Sequence, residues 1–485
     1  MIARELGRNT LGIKTLAVFG VLALSIFFGL LCALMGNIVA ERPMFFVALP
    51  VLIALGVTFY IDQKALVAII ILCRAAADPV FENTRFANIT GLGGIVNLAI
   101  IAIAFSLVLK DPKRVPRQAW WAWLPFLLCQ LIGLMHSPDY YQESRNLLAQ
   151  LSTFAIFIAA FYMVDDMSSL EKALRLILAS SVPVMAITVV YILSGTTAYF
   201  LEGAETVSGR YAGPFTHPNI LAFYTTLIIA LNLYSIKRKG NSMLNWTALC
   251  AFGYMVVLFG VLYATKTRSA WLATAALVGI YGLVFERRYL LYLLLVPAMA
   301  MLIPEFRDRI FDLNQGNVVV QYARLNSFAW RQLAWQDALQ WMEPIRYLVG
   351  YGNGGFIFYS PTFNSIRGGG NFGAHNVLVQ LFFDIGVLGI VTYLWLFAAC
   401  FKMLRRNFGR SYILEIISAS LLFGYLIISL SDNMLFYLVY NWYFWFFIGA
   451  VCAMTMRMSA EYTSDIFLAE GSRHQKFGSG QLGNI

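Results

Sequence analysis

Apolar segments long enough to cross a bilayer follow one another along almost the whole chain. No other feature constrains the fold as tightly. A spanning helix needs about 20 mostly apolar residues, because the bilayer core holds no water to satisfy an open backbone. Such stretches cover roughly 14–36, 43–61, 65–77, 91–109, 118–135, 146–164, 170–194, 218–235, 245–264, 269–285, 288–303, 376–401, 411–431 and 434–456. The third is short enough to be re-entrant, and the pair at 269–303 is tightly joined. The expectation is an all-α, polytopic transmembrane helical bundle of about 12–14 spans. With 60% hydrophobic and 12% charged residues, the chain excludes a soluble domain. The stretch "LSIFFGLLCALMGNIVAERP" lacks a convincing cleavage site and is followed by further spans, so it reads as a span rather than a signal.

Basic residues orient the bundle. Arg4, Arg8 and Lys14 precede the first segment. "KDPKRVPR" (Lys110 to Arg117) follows the fourth, and "KRKG" (Lys237 to Gly240) the eighth. Arg287 and Arg288 follow the tenth, and "KMLRRNFGR" (Lys402 to Arg410) the twelfth. Every cluster falls after an even-numbered segment, so one face collects them all. The positive-inside rule makes that face, and both termini, cytoplasmic. Topology thus accounts for the net charge of +10 without a nucleic-acid partner. The six cysteines (Cys32, Cys73, Cys129, Cys250, Cys400, Cys452) sit in or beside apolar stretches, with neither metal-ligand spacing nor a disulfide framework.

The opposite face carries 195–217, the short link "TKTRS" (Thr265 to Ser269) and a long loop over 304–374. In that loop "ARLNSFAWRQLAWQDALQWMEP" places apolar Leu325, Phe328, Ala329, Trp335 and Leu339 among polar residues, and Pro344 stops the pattern. This predicts an amphipathic helix over the membrane mouth. Residues 1–457 form the bundle with this loop, and the polar tail 458–485, rich in Gly and Ser, is expected to be a disordered cytoplasmic segment.

Three helix starts on the loop-bearing face share an uncommon pattern. "GRYAGPFTHPN" carries Arg210 and His217, with Pro218 suited to a first helical turn. "TKTRSAW" carries Lys266 and Arg268, and "GAHN" carries His375 and Asn376. Helix N-termini present unpaired N–H groups and a partial positive charge, which favour anions. Arginine adds a planar fork that suits phosphate. Arg324 and Arg331 lie seven residues apart on one face of the loop helix. His375 follows a glycine run that permits close approach, and a histidine there can serve as a general base. Asp384 lies nine residues past His375, roughly 13 Å along a helix and about half a turn around, so the two do not form a direct dyad. It reads as a structural contact inside the bundle. No Asp-x-Asp, HExxH, Walker or Rossmann pattern occurs where it would matter, so no metal and no cofactor is expected.

Taken in order, "GRYAGPFTHPNILAFYTTL", "TKTRSAWLA", "RQLAWQDAL…LVGYGNGGF" and "AHNVLVQLFFDIGVLG" resemble the O-antigen ligase and polymerase superfamily over about 205–390. Members are bacterial inner-membrane enzymes that join lipid-carried glycans on the periplasmic side. The most specific pattern is His-Asn, a few apolar residues, then an acid before Gly-x-x-Gly, with Asp384 where glutamate is commoner. The resemblance implies inverting, metal-independent transfer from an undecaprenyl-diphosphate-linked glycan donor. Arg210 and Arg268 would hold the diphosphate, with Arg331 as a third cationic contact. His375 would orient or deprotonate the acceptor hydroxyl. His217, through "HPN", is a further contact the resemblance implies, and Lys266, Arg324 and Asn376 are candidate substrate contacts. The acceptor would be a second lipid-linked glycan in a polymerase, a lipid A core sugar in a ligase, or a protein hydroxyl. About fourteen segments favour the polymerase. A lipid-linked glycan flippase is the reading from another class, but transporters concentrate their polar residues near the bilayer midplane. A membrane subunit without chemistry is a third.

Overall fold

A computed structural model describes residues 53–83, 85–86, 90–195, 209–239, 246–304, 327–365, 370–405 and 412–478, together with 307 and 311. The first expected segment, most of the second, and Arg324 lie outside the described residues. After a helix over 53–61 come α1 (Gln63–Arg74), α2 (Asp78–Asn83), a two-residue pairing of Arg85–Phe86 with Thr90–Gly91, and α3 (Leu92–Lys110). There follow α4 (Arg117–Met135), α5 (Tyr140–Met163), α6 (Met167–Ser194), α7 (Pro218–Lys239), α8 (Trp246–Ala264), α9 (Arg268–Val284) and α10 (Arg288–Ala300). The loop region contributes α11 (Ser327–Trp341) and α12 (Gly355–Phe363). The chain ends in α13 (Val377–Ile385), α14 (Val387–Leu404), α15 (Tyr412–Ser429) and α16 (Leu438–Gly478). Eight of the described helices are long and apolar enough to cross a membrane, and three shorter apolar helices, in α8, α9 and α10, accompany them. The chain is a polytopic helical bundle.

Local chemistry sets the helix ends. Asp62 caps α1 through the amides of Lys64 and Ala65, and Asp166 with Ser169 forms a reciprocal capping box on α6. Gly195 ends α6 in the left-handed region. Two helices form the centre: 94% of the spanning stretch of α7 and 89% of that of α16 is buried. The first turns of α16 carry Trp442, Tyr443, Phe444, Trp445, Phe446 and Phe447, all buried, and α5 packs along them. Gly449 permits that approach, since a Cβ there would stand 2.6 Å from the Phe157 carbonyl.

Two segments differ from the simplest reading of the hydropathy. The stretch at 65–77 forms only the 12-residue α1, which leads directly into α2. Its Arg74 is buried against Asp78 at 2.5 Å, with the Phe81 ring 4.7 Å from the guanidinium carbon. The stretch at 376–401 is not one helix. It breaks at Gly386, whose φ of 73° and ψ of −160° suit glycine alone, and a Cβ there would overlap the Leu348 backbone at 2.3 Å. The span therefore begins at Val387, and α13 is a separate short helix. At the other end, α16 continues as helix through 458 to Gly478.

The loop has a core of its own. Ala338, Met342, Phe356, Phe363, Ala374 and Phe383 are buried together, and Trp341 lies against Tyr351, Tyr359 and Phe383. Helix α11 ends at Trp341, and Pro344 opens a short 3-10 turn. Asp384 locks this cap to α13. One carboxylate oxygen accepts from the Phe356 amide at 2.8 Å. The other accepts from Gly354 at 3.2 Å and from the Gln380 side chain at 2.8 Å. Gln380 in turn accepts from the Ala374 amide, immediately before His375. Asp384 is thus linked, through Gln380, to the backbone just before His375.

Burial pushes the Asp384 carboxyl up to about 7, with the Glu143 charge adding to it and the Gln380, Phe356 and Gly354 hydrogen bonds opposing it. A carboxyl raised above its unfolded value binds a proton in the folded state that the unfolded chain has released. Stability therefore falls as pH rises between about 4 and 7. Thermal unfolding of the detergent-solubilised protein should show a midpoint that declines across this window. Asp384→Asn, which mimics the neutral form, should flatten the decline. An equal decline in the variant would assign it to another group.

Candidate active site

The ends of several helices meet at one place, the turn between α15 and α16. Ser431, Asp432 and Asn433 form a polar triplet in an otherwise apolar stretch. Asp432 is buried, and its oxygens are fully engaged. Oδ1 accepts from the Tyr437 hydroxyl at 2.6 Å and from the Asn433 amide at 3.1 Å. Oδ2 accepts from the side-chain amide of Asn219 in the first turn of α7. Burial by itself would raise this carboxyl. The facing His375 and the Tyr437 hydroxyl, with the Arg331 charge, more than offset it and hold it below the usual carboxylate range. Burial pushes the Tyr437 phenol well up, so it stays a donor.

His375 faces the same carboxylate. Its Nδ1 stands 3.9 Å from Asp432 Oδ1, an ionic contact longer than a hydrogen bond. That nitrogen is buried and has no hydrogen-bond partner among the described residues, while 37% of the side chain stays exposed. The Trp330 ring stands edge-on to the imidazole at 6.2 Å. Asn376 caps α13 through the amides of Leu378 and Val379, and its own amide donates to Asn433 at 3.1 Å. The cap leaves His375 just outside the helix, at a φ of 49°. Lys266 is the other non-glycine residue with positive φ among those described, at 50°. Such strain persists only where the surroundings enforce it, and it gathers at functional sites.

The cations surround this centre. Arg210 Nε donates to the Thr265 carbonyl at 2.8 Å, and Nη2 donates to Asn219 Oδ1 at 2.6 Å and Thr267 Oγ1 at 2.9 Å. Its fork is thereby fixed while the side chain remains half-buried. Lys266 bends back over Gly209, its Nζ 3.3 Å from where a Cβ would be. Arg268 opens α9 one residue beyond Thr267 and is also half-buried. Arg331 reaches down from α11 to donate to the Ser431 carbonyl at 2.6 Å. His217 Nδ1 accepts from the Asn219 amide, so it caps α7, and its ring stacks on Tyr437 at 6.2 Å. The structure therefore brings Arg210, His217, Arg331, His375 and Asn376 around the 431–437 turn, with Lys266 and Arg268 on the flank nearest Arg210. Asp384 lies away from this group, in the clamp under the cap.

Sequence reading did not single out Asp432, Asn219, Asn433 or Tyr437. The one signal was "SDN" between two apolar stretches, on the same face as the other candidates. Beside its local partners Asn433 and Tyr437, Asp432 meets Asn219 from 213 positions away, which only folding reveals.

No curated protein matches the chain significantly. A family model described as O-antigen ligase matches residues 253–394. The matched stretch contains Lys266, Arg268, Arg331, His375, Asn376 and Asp384, and leaves out Arg210, His217, Asn219 and Asp432. Over residues 253–394 the chain is thus similar to the O-antigen ligase family, which supports the resemblance to the O-antigen ligase/polymerase superfamily.

Proposed function

We propose that this protein is a membrane glycosyltransferase that joins lipid-linked glycan units at the outer face of the bacterial inner membrane, with an undecaprenyl-diphosphate-linked glycan as donor. The observation that carries this reading is the convergence of Arg210, through Asn219, and His375 on one buried carboxylate, Asp432. Three helices, α7, α9 and α13, begin there, so their N-termini add to the positive field. The diphosphate rests against Arg210 and Arg268, with Arg331 and Lys266 nearby, and the polyprenyl tail stays in lipid.

The chemistry follows from these parts. The acceptor hydroxyl oxygen attacks the anomeric carbon of the donor. The bond from that carbon to the diphosphate oxygen breaks, and its electron pair leaves with the diphosphate. Fixed cations stabilise the charge that grows on the leaving group more than they stabilise the ground state. The hydroxyl proton passes to His375. Asp432, behind Nδ1, favours the tautomer protonated there and supports the imidazolium that forms. One exposed base and one buried carboxylate suit single displacement, which inverts the anomeric centre. The arginines supply the positive charge that a metal ion provides elsewhere, so transfer is metal-independent in this reading. By the positive-inside rule the basic clusters favour termini in the cytoplasm and a site on the periplasmic side. Between acceptors, about fourteen apolar segments favour a polymerase acting on a second lipid-linked glycan in polysaccharide synthesis.

Membranes containing the protein, supplied with lipid-linked repeat units and no lipid A core, test this choice. A ladder of product lengths is expected. Single-step transfer that appears only when core lipid is added would reassign the protein as a ligase. Redistribution of donor across the membrane without a new glycosidic bond would replace catalysis with transport.

A further inference from the structure

Asn219 touches both halves of the site. Its Oδ1 accepts from Arg210 Nη2 at 2.6 Å and from Thr267 Oγ1 at 3.2 Å, and its Nδ2 donates to Asp432 Oδ2. It is buried in the first turn of α7, where its backbone amide is already satisfied by His217 Nδ1. We propose that Asn219 is a positioning residue that couples the diphosphate-holding Arg210 to the Asp432–His375 pair through its two-sided amide. The inference rests on the glycosyl-transfer reading and deepens it.

The physical case is one of donor and acceptor count. Arg210 has only donors to offer, and ionised Asp432 only acceptors. A single residue that is to meet both must present an acceptor on one side and a donor on the other. A neutral amide does this without adding charge. A hydroxyl is too short to present the two at opposite ends. A carboxylate in its place would face Asp432 without a donor and would neutralise part of the Arg210 charge. The arrangement also fixes the amide's orientation, because flipping it would set Nδ2 against Arg210 and Oδ1 against Asp432. The charged or titratable groups around Asn219 are Arg210 and His217 before α7, Lys266 beside Thr267, and Asp432 and Tyr437 in the α15–α16 turn. His375 lies behind Asp432, and Arg331 reaches the same turn through the Ser431 carbonyl.

The test needs no knowledge of the sugar. Undecaprenyl diphosphate, the released carrier, is titrated against purified full-length protein in nanodiscs at pH 7.5 and pH 5. Wild type, Asn219→Asp and Arg210→Ala are compared at each pH. Relative to wild type, Asn219→Asp should bind about 10- to 100-fold more weakly at pH 7.5. At pH 5 it should recover to within about 3-fold, because two adjacent carboxyls then share a proton and the protonated one again donates to Asp432. Arg210→Ala should be weak at both. If Asn219→Asp matches wild type at both pH values, the coupling is wrong. If it is equally weak at both, Asn219 only maintains the shape of the site, and the coupling is again wrong. If wild type fails to bind undecaprenyl diphosphate at all, the transfer reading falls, and the coupling with it.

Discussion

His375→Ala should lower glycan transfer by about 10²- to 10⁴-fold, the range that positioned general bases contribute. Binding of undecaprenyl diphosphate should stay within a few-fold of wild type, since no diphosphate contact is assigned to the imidazole. The side chain is partly exposed and sits outside the helix, beyond the Asn376 cap. Its loss therefore removes no core packing, and the fold should survive. Transfer within about 3-fold of wild type would remove His375 from the chemistry. The measurement is a time course of product formation in membranes, with protein amount normalised.

Asp432→Asn should cost nearly as much, about 10²- to 10³-fold in transfer, for a different reason. The amide keeps the size of the side chain but offers one acceptor oxygen where the carboxylate offers two. Tyr437, Asn433 and Asn219 now compete for it. A buried donor left unpaired costs about 1–3 kcal/mol, so some loss of stability accompanies the loss of rate. The imidazolium formed during proton transfer also loses its anionic neighbour. The pH dependence has a definite sign. A carboxyl held below its unfolded value of 3.8 stabilises the fold above that value and loses this effect only as pH falls through its folded value. Asp432 should therefore contribute no loss of stability between pH 5 and 8. In a His375→Ala background, which removes the facing imidazole, subtracting the Asp432→Asn melting curve from that of its parent should give a flat difference over that range. A difference that changes steeply above pH 5 would contradict the assigned ionisation.

Much of the fold is legible because the bilayer permits so few solutions. Hydropathy alone places α3, α4, α6, α7 and α15 within a few residues, since each span must satisfy its own backbone. Helix starts are equally readable: Pro218 opens α7, Arg268 opens α9, and Asn376 caps α13. The break at Gly386 is harder. The segment is apolar on both sides of it, and the glycine is forced by the Leu348 backbone, which approaches from a loop far away in sequence. The site divides in the same way. Arg210, Lys266, Arg268 and His375 stand out because cations at apolar helix mouths are costly to place without purpose. Asp432 and Asn219 do not, since a single Asp or Asn near a helix end is ordinary and its meaning lies in partners that only packing supplies.

In the same packing Asp384 is a clamp beneath the loop. It accepts three hydrogen bonds under the loop and, through Gln380, fixes the amide that precedes the histidine. The "AHNVLVQLFFDIGVLG" motif therefore joins the proposed reacting end to a clamp, with Gly386 as the joint before the membrane span.

Undecaprenyl diphosphate release per glycosidic bond is the most direct measurement of the central claim. Purified protein in nanodiscs is supplied with lipid-linked repeat units. Released carrier is counted against new linkages, and the anomeric configuration of product and donor is read by NMR. One carrier released per bond, with inverted configuration and loss of both signals in His375→Ala, is the predicted result. Retained configuration, or carrier consumption without any new linkage, would contradict single displacement at the Arg210–Asp432–His375 centre.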